Sequence, residues 1–147
     1  MKITNLEIQN FRGIKESNIS FPCDTRLICL IGGGDSTKST LLKAIEWVLW
    51  PSWNLIAGDN DFYNSDTTNP IILRGTFTEL PEVLLSEDKF GLYLRRSNVQ
   101  LMPDIDDEPQ DGEPLCLTIQ LTITDLLEPK WEVVCNRQEP QFISHNE

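Results

Sequence analysis

Residues 32–40 read Gly32-Gly33-Gly34-Asp35-Ser36-Thr37-Lys38-Ser39-Thr40, a set of types suited to gripping a chain of phosphates. Against the pattern G-x-x-x-x-G-K-[ST], Gly32 is the first glycine, Lys38 the lysine and Ser39 the hydroxyl. Thr37 stands where the last glycine belongs. Successive backbone N–H groups in such a turn converge on phosphate oxygens, and the positive end of a following helix dipole adds to their field. Glycines let the main chain come close to the ligand. Lys38 is expected to reach the β- and γ-phosphates, and the Ser39 hydroxyl to hold Mg²⁺. Two residues work against this. Thr37 is β-branched and restricts the turn. Asp35 repels phosphate unless its carboxylate turns away or meets the metal. A glycine turn that merely caps a helix is the plainer alternative.

The pattern needs a strand before it and a helix after it. Leu27, Ile28, Cys29, Leu30 and Ile31 form a continuous apolar run, as in a strand buried on both faces. Leu41, Leu42, Ala44, Ile45, Val48 and Leu49 recur at helical spacing, and Pro51 stops that helix at about Trp50. Trp47, Trp50 and Trp53 follow at intervals of three residues. They are either a stacking platform for bases or, as with most such stripes, the helix end packing on the core.

The 147 residues make one domain with a real core. A net charge of −11 argues against this segment offering the main nucleic-acid surface, which is normally basic. Cys23, Cys29, Cys116 and Cys135 form no C-x-x-C pair and His145 is the single histidine, which excludes the usual zinc patterns. All four cysteines read as reduced, Cys29 as a small buried hydrophobe within its strand, and the compartment as cytoplasmic. No signal peptide or membrane-spanning stretch is evident.

Residues 3–11 alternate as a first strand, with Leu6 and Ile8 on one face and Glu7 and Gln9 on the other; residues 17–21 make a second. Later strands are expected at 71–77, at 90–96 with Leu92 and Leu94 on one face, at 115–123 and at 131–135, with a short helix near Val83. Residues 103–114, dense in Asp, Glu and Pro, read as a flexible acidic hairpin loop. Pro109 and Leu115 replace the glycine and glutamate that a calcium loop requires. Residues 115–123 alternate apolar and polar as an amphipathic antiparallel strand does, which makes Asp125 at its end a poor Walker B aspartate.

The opening Met1-Lys2-Ile3-Thr4-Asn5-Leu6-Glu7-Ile8-Gln9-Asn10-Phe11-Arg12-Gly13-Ile14, followed by strand and phosphate loop, resembles the N-terminal lobe of SMC/RecF-type ABC ATPases. Among them it is most similar to OLD-family (overcoming lysogenisation defect) and related anti-phage ATPases. The likeness is clearest over residues 1–50. It implies that Arg12 lies near the nucleotide, and that a loop after the first helix senses the γ-phosphate through Mg²⁺. That loop usually uses a glutamine; here Asp61 is the candidate, with an ordinary solvated loop as the alternative. The resemblance also implies ATP and Mg²⁺ as ligands, ATP sandwiched in a homodimer or higher oligomer, a nuclease or effector partner in anti-phage defence or DNA repair, and DNA contact only through other parts of the protein.

The expected architecture is therefore an α/β P-loop NTPase lobe: a core over residues 1–57 with a mixed sheet, joined to an antiparallel β-subdomain over residues 58–147. The nucleotide contacts expected are Gly32, Gly33, Gly34, Asp35, Ser36, Thr37, Lys38, Ser39, Thr40 and Arg12, with Ser39 and Asp61 at the metal. A signature sequence, an Asp-Glu strand and a switch histidine are all missing, so the chain reads as a fragment of a larger ATPase that binds ATP without hydrolysing it alone. Two other readings stand beside this one. The lobe is a degenerate dimerisation or interaction module, or it is a GTPase- or kinase-type enzyme, for which the Asn-Lys-x-Asp motif is absent.

Overall fold

The computed structural model describes residues 1–22, 24–34, 37–50, 52, 54–86, 88–98, 104–106 and 114–143. The readings at Cys23, Asp35, Ser36, Pro51, Trp53, His145 and most of the acidic loop fall outside these residues.

Strand β1 (Lys2–Phe11) turns back into β2 (Ile14–Ser20). Helix α1 (Lys38–Val48) follows, then β3 (Ile71–Thr78), the short α2 (Glu82–Leu85), β4 (Arg95–Asn98), β5 (Asp104–Asp106), β6 (Leu115–Ile123), β7 (Pro129–Val134) and β8 (Gln141–Phe142). The sheet runs β2-β1-β3-β6, and β6 then divides its far edge. Residues 118–123 pair with β7, while Leu115 and Cys116 pair with β4.

Period-two patterning gives the sheet two unlike faces. Leu6 and Ile8 of β1, Ile71, Leu73 and Phe77 of β3, Leu121 and Ile123 of β6 and Trp131 of β7 form one apolar cluster, covered by Ala44, Trp47 and Val48 of α1. Gly75 on β3 permits the close approach of α1. A Cβ there would stand 3.1 Å from Val48 Cγ1 and 2.8 Å from the Phe77 ring. The helix end is also fastened: the Trp131 indole N–H donates to Trp47 O at 3.1 Å, a carbonyl that also accepts from Trp50 N–H at 3.3 Å. On the opposite face polar side chains run across the strands. Arg74 bridges Gln120 (2.5 Å) and Glu7 (3.3 Å), and the Thr76 and Thr118 hydroxyls share a 2.8 Å hydrogen bond. A smaller cluster of Phe90, Leu94, Leu117 and Val133 closes one end.

Four expectations change. Every strand pairing among the described residues is antiparallel, so the sheet is not mixed. Residues 27–31 are not a strand: the segment is irregular, with Leu27 78% and Ile31 93% exposed. A strand buried on both faces needs neighbours on both edges, and no described strand lies beside this one. Cys29 is consequently exposed, not buried. Third, Gly91–Tyr93 is a single 3₁₀ turn that puts Phe90 and Leu94 into the core and leaves Leu92 exposed; the strand begins only at Arg95. Fourth, Asp104–Asp106 within the acidic stretch is itself a strand, paired with β4.

Candidate nucleotide site

The phosphate loop enters α1 through Thr37, whose φ of 62° and ψ of 9° are left-handed. A β-branched residue rarely adopts that conformation, whereas the glycine of the motif adopts it freely. Leu41 N–H donates to Thr37 O at 3.0 Å, so the helical ladder begins at this residue. No side chain caps the helix N-terminus, and its first turn holds no acidic residue. The N–H groups of that turn and the helix dipole therefore face the loop without a competing carboxylate from α1.

Lys38 folds back over the turn. Its Nζ donates to Gly32 O at 2.7 Å and to Gly33 O at 2.5 Å. The ammonium is thus held by carbonyl dipoles of the glycine turn, and phosphate oxygens would bind it more strongly. A Cβ added to Gly33 or Gly34 would meet nothing within 4 Å. Space over the loop is open, so packing within the chain does not demand glycine there, while close approach by a ligand does. The donor types and the cradle fit a phosphate chain. Ser39 is exposed and Thr40 half-buried at the start of the helix.

Arg12 and Asp61 are 49 residues apart in sequence and in direct contact. Arg12 Nε donates to Asp61 Oδ1 at 2.9 Å, and Nη2 lies 2.8 Å from the same oxygen. The backbone is joined too, with Arg12 N–H donating to Asp61 O at 2.8 Å and a bridge between Phe11 and Phe62 beside it. The other carboxylate oxygen, Oδ2, accepts from Gly58 N–H at 3.0 Å. The guanidinium lies 5.4 Å from the Phe11 ring centroid and 5.7 Å from that of Trp47. Those two rings pack at 4.9 Å. Trp47 is only 3% exposed, which makes it a core residue and not a base platform; Trp50 packs partly on the same core and donates to Asn54 Oδ1 at 3.1 Å.

Two more residues belong to this neighbourhood. A Cβ on Gly13 would stand 3.2 Å from Thr37 Cγ2, so the β1–β2 turn abuts the last residue of the phosphate loop. Asn10, at φ 56°, donates from Nδ2 to Asn69 O at 2.5 Å and ties the same hairpin to the loop after Asp61. Both had a sequence signal: asparagine and glycine around Phe11-Arg12 are the types that turns select. In that loop the Thr68 hydroxyl and then its N–H hold the exposed Asp66 carboxyl below the usual carboxylate range. Among the described residues no group of three or more His, Cys, Asp or Glu is placed to hold a metal ion. Asp125 is exposed in the turn after β6.

A glycine loop running into a helix that lies across a sheet is the arrangement that a phosphate-binding loop requires. The profile of the AAA ATPase domain family matches residues 1–138, and the chain belongs to that family. The comparison with curated proteins yields no match. The fold is similar to a structure solved in work on the structural biochemistry of ATP-driven dimerization and DNA-stimulated activation of SMC ATPases. The TM-score is 0.56 at 13% identity, over 99% of this chain and 74% of that one. No helix among the described residues is long and apolar enough to cross a membrane.

Proposed function

We propose that this chain is the ATP-binding lobe of a larger, SMC-like ATPase. The observation that carries the reading is Lys38 poised over an open glycine loop at the start of α1. Residues 32–40 hold the α-, β- and γ-phosphates, Ser39 supplies the hydroxyl to Mg²⁺, and the remaining metal positions fall to phosphate and water, as Mg²⁺ prefers. Arg12 is proposed as a further contact to the nucleotide. The exposed apolar run at residues 27–31 supports a second lobe. Strands from that lobe would flank this segment and turn it into the buried phosphate-loop strand that its composition suits.

By the same likeness we propose that ATP is sandwiched between two copies of the full-length protein, since the similar SMC structure comes from work on ATP-driven dimerization. Coupling to a nuclease or effector, as in OLD-like anti-phage or DNA-repair ATPases, cytoplasmic location, and DNA contact through other parts of the protein are proposed from the sequence resemblance. The acidic balance of this lobe, −11, agrees with the last of these.

Calorimetric titration of the chain with ATP–Mg²⁺ tests the reading. Lys38→Ala should abolish the heat of binding while leaving the melting temperature unchanged, because the bonds from its ammonium to Gly32 O and Gly33 O lie at an exposed turn. Equal binding by wild type and variant rules the assignment out. A folded wild type that binds no nucleotide favours the dimerisation-module alternative.

A further inference from the structure

We propose that Asp61 is a positioning residue for Arg12, holding its main chain and its guanidinium so that the cation stands beside the phosphate loop. This rests on residues 32–40 being the nucleotide site and goes beyond it by giving the 58–66 loop a task. Thr37 is flanked in sequence by Lys38 and in space by Gly13, the neighbour of Arg12. Arg12 is one Cα step, about 3.8 Å, from that contact. In a chain of net charge −11, Lys38 next to Thr37 and Arg12 next to Gly13 are two cations whose backbone this contact brings close.

Left to itself, Arg12 would not stay so placed. Its φ of 51° is left-handed, unfavourable for a long side chain, and needs external support. Asp61 provides that support through its carbonyl and through Oδ1. Gly58 N–H fixes Asp61 in turn through Oδ2. The carboxylate is the shielded partner, its side chain 17% exposed against 37% for arginine, so the pair presents its positive member outward. Both oxygens of Asp61 are engaged, Oδ1 by Arg12 and Oδ2 by Gly58 N–H. That favours positioning over the metal role.

The test is ATP titration of the full chain as wild type, Asp61→Asn, Arg12→Ala, the double variant and Lys38→Ala, each with and without Mg²⁺. Asp61→Asn keeps the size of the side chain and removes its charge. It should weaken ATP binding by about tenfold, the equivalent of ~1.4 kcal/mol. The double variant should bind no more weakly than Arg12→Ala, and the loss should persist without Mg²⁺. In the nucleotide-free protein, exchange of the Arg12 Nε proton with water should be slow in wild type and fast in Asp61→Asn. Binding by Asp61→Asn as tight as wild type or tighter overturns the proposal. So does a full additional loss in the Arg12→Ala background, or a loss that vanishes without Mg²⁺, which marks a metal ligand. If wild type and Lys38→Ala are alike, the nucleotide reading has failed and the positioning role falls with it. Proton exchange then still reports whether the ion pair exists.

Discussion

Thr37 occupies a backbone conformation that costs a non-glycine residue about 1–2 kcal/mol, and it holds it at φ 62° immediately before Lys38. The sequence shows a fault in the motif; the structure shows that Thr37 takes the left-handed backbone a glycine would take freely, with its Cβ crowding the main chain. Thr37→Gly relieves this strain, but a glycine gives back roughly 0.5–1 kcal/mol through the freedom of the unfolded chain. The variant should therefore be neutral or slightly more stable in thermal melts, with ATP affinity kept or improved in titration. A loss of affinity would reveal a contact made by the threonine itself. Lys38, Arg12 and Asp61 were each legible as types suited to phosphate or metal. Their partners were not, because no local pattern reports that a residue at 12 meets one at 61. Trp47 shows the reverse: its burial followed from helical spacing, while the bond from Trp131 across 84 residues did not.

Among the elements, those with a clear period were readable. The alternation in β1, β3 and β6 states which face goes inward, and the sheet buries Leu6, Ile8, Leu73, Leu121 and Ile123; the helical stripe of α1 buries Ala44 and Val48, half-buries Leu41 and Ile45, and leaves Leu42 and Leu49 exposed. The run at 27–31 misled because an apolar stretch reports that something covers it, not what does. The 90–96 segment misled because Phe90 and Leu94, four apart, fit a turn as well as a strand. The joint between α1 and β3 gives a prediction at this scale. Gly75→Ala would drive a methyl against the Phe77 ring and Val48 Cγ1. Overpacking a filled core costs typically 1–3 kcal/mol, so the variant should unfold at lower denaturant concentration with an unchanged slope. Unchanged stability would show that α1 rides more loosely on the sheet than the geometry implies.

For the whole molecule the question is turnover. Gripping phosphates speeds hydrolysis only if contacts improve in the transition state. The attacking water must be positioned, and charge on the transferring group must be met from the far side. The two acidic residues weighed for such work are poorly placed: Asp61 is bonded to Arg12, and Asp125 sits in an exposed turn. Phosphate release by the purified chain should match that of Lys38→Ala. Release clearly above that control, and lost in Asp125→Ala, would make the chain a complete enzyme.

The pairing of β1 with β3, from Lys2↔Thr78 to Gln9↔Ile72, has a consequence for how the molecule comes to exist. The phosphate loop and α1 both lie inside the long stretch of chain that this pairing closes. Closing a long loop costs little more than closing a moderate one, about 0.6 kcal/mol per doubling of length. It is slow all the same, because distant partners must find each other before any contact rewards the search. The β1–β2 hairpin can form on its own as the chain emerges from the ribosome. The apolar bed beneath α1 cannot, since Ile71, Leu73 and Phe77 have yet to be made. Competence for nucleotide thus arrives late, with the third strand, though the glycine loop was synthesised long before it.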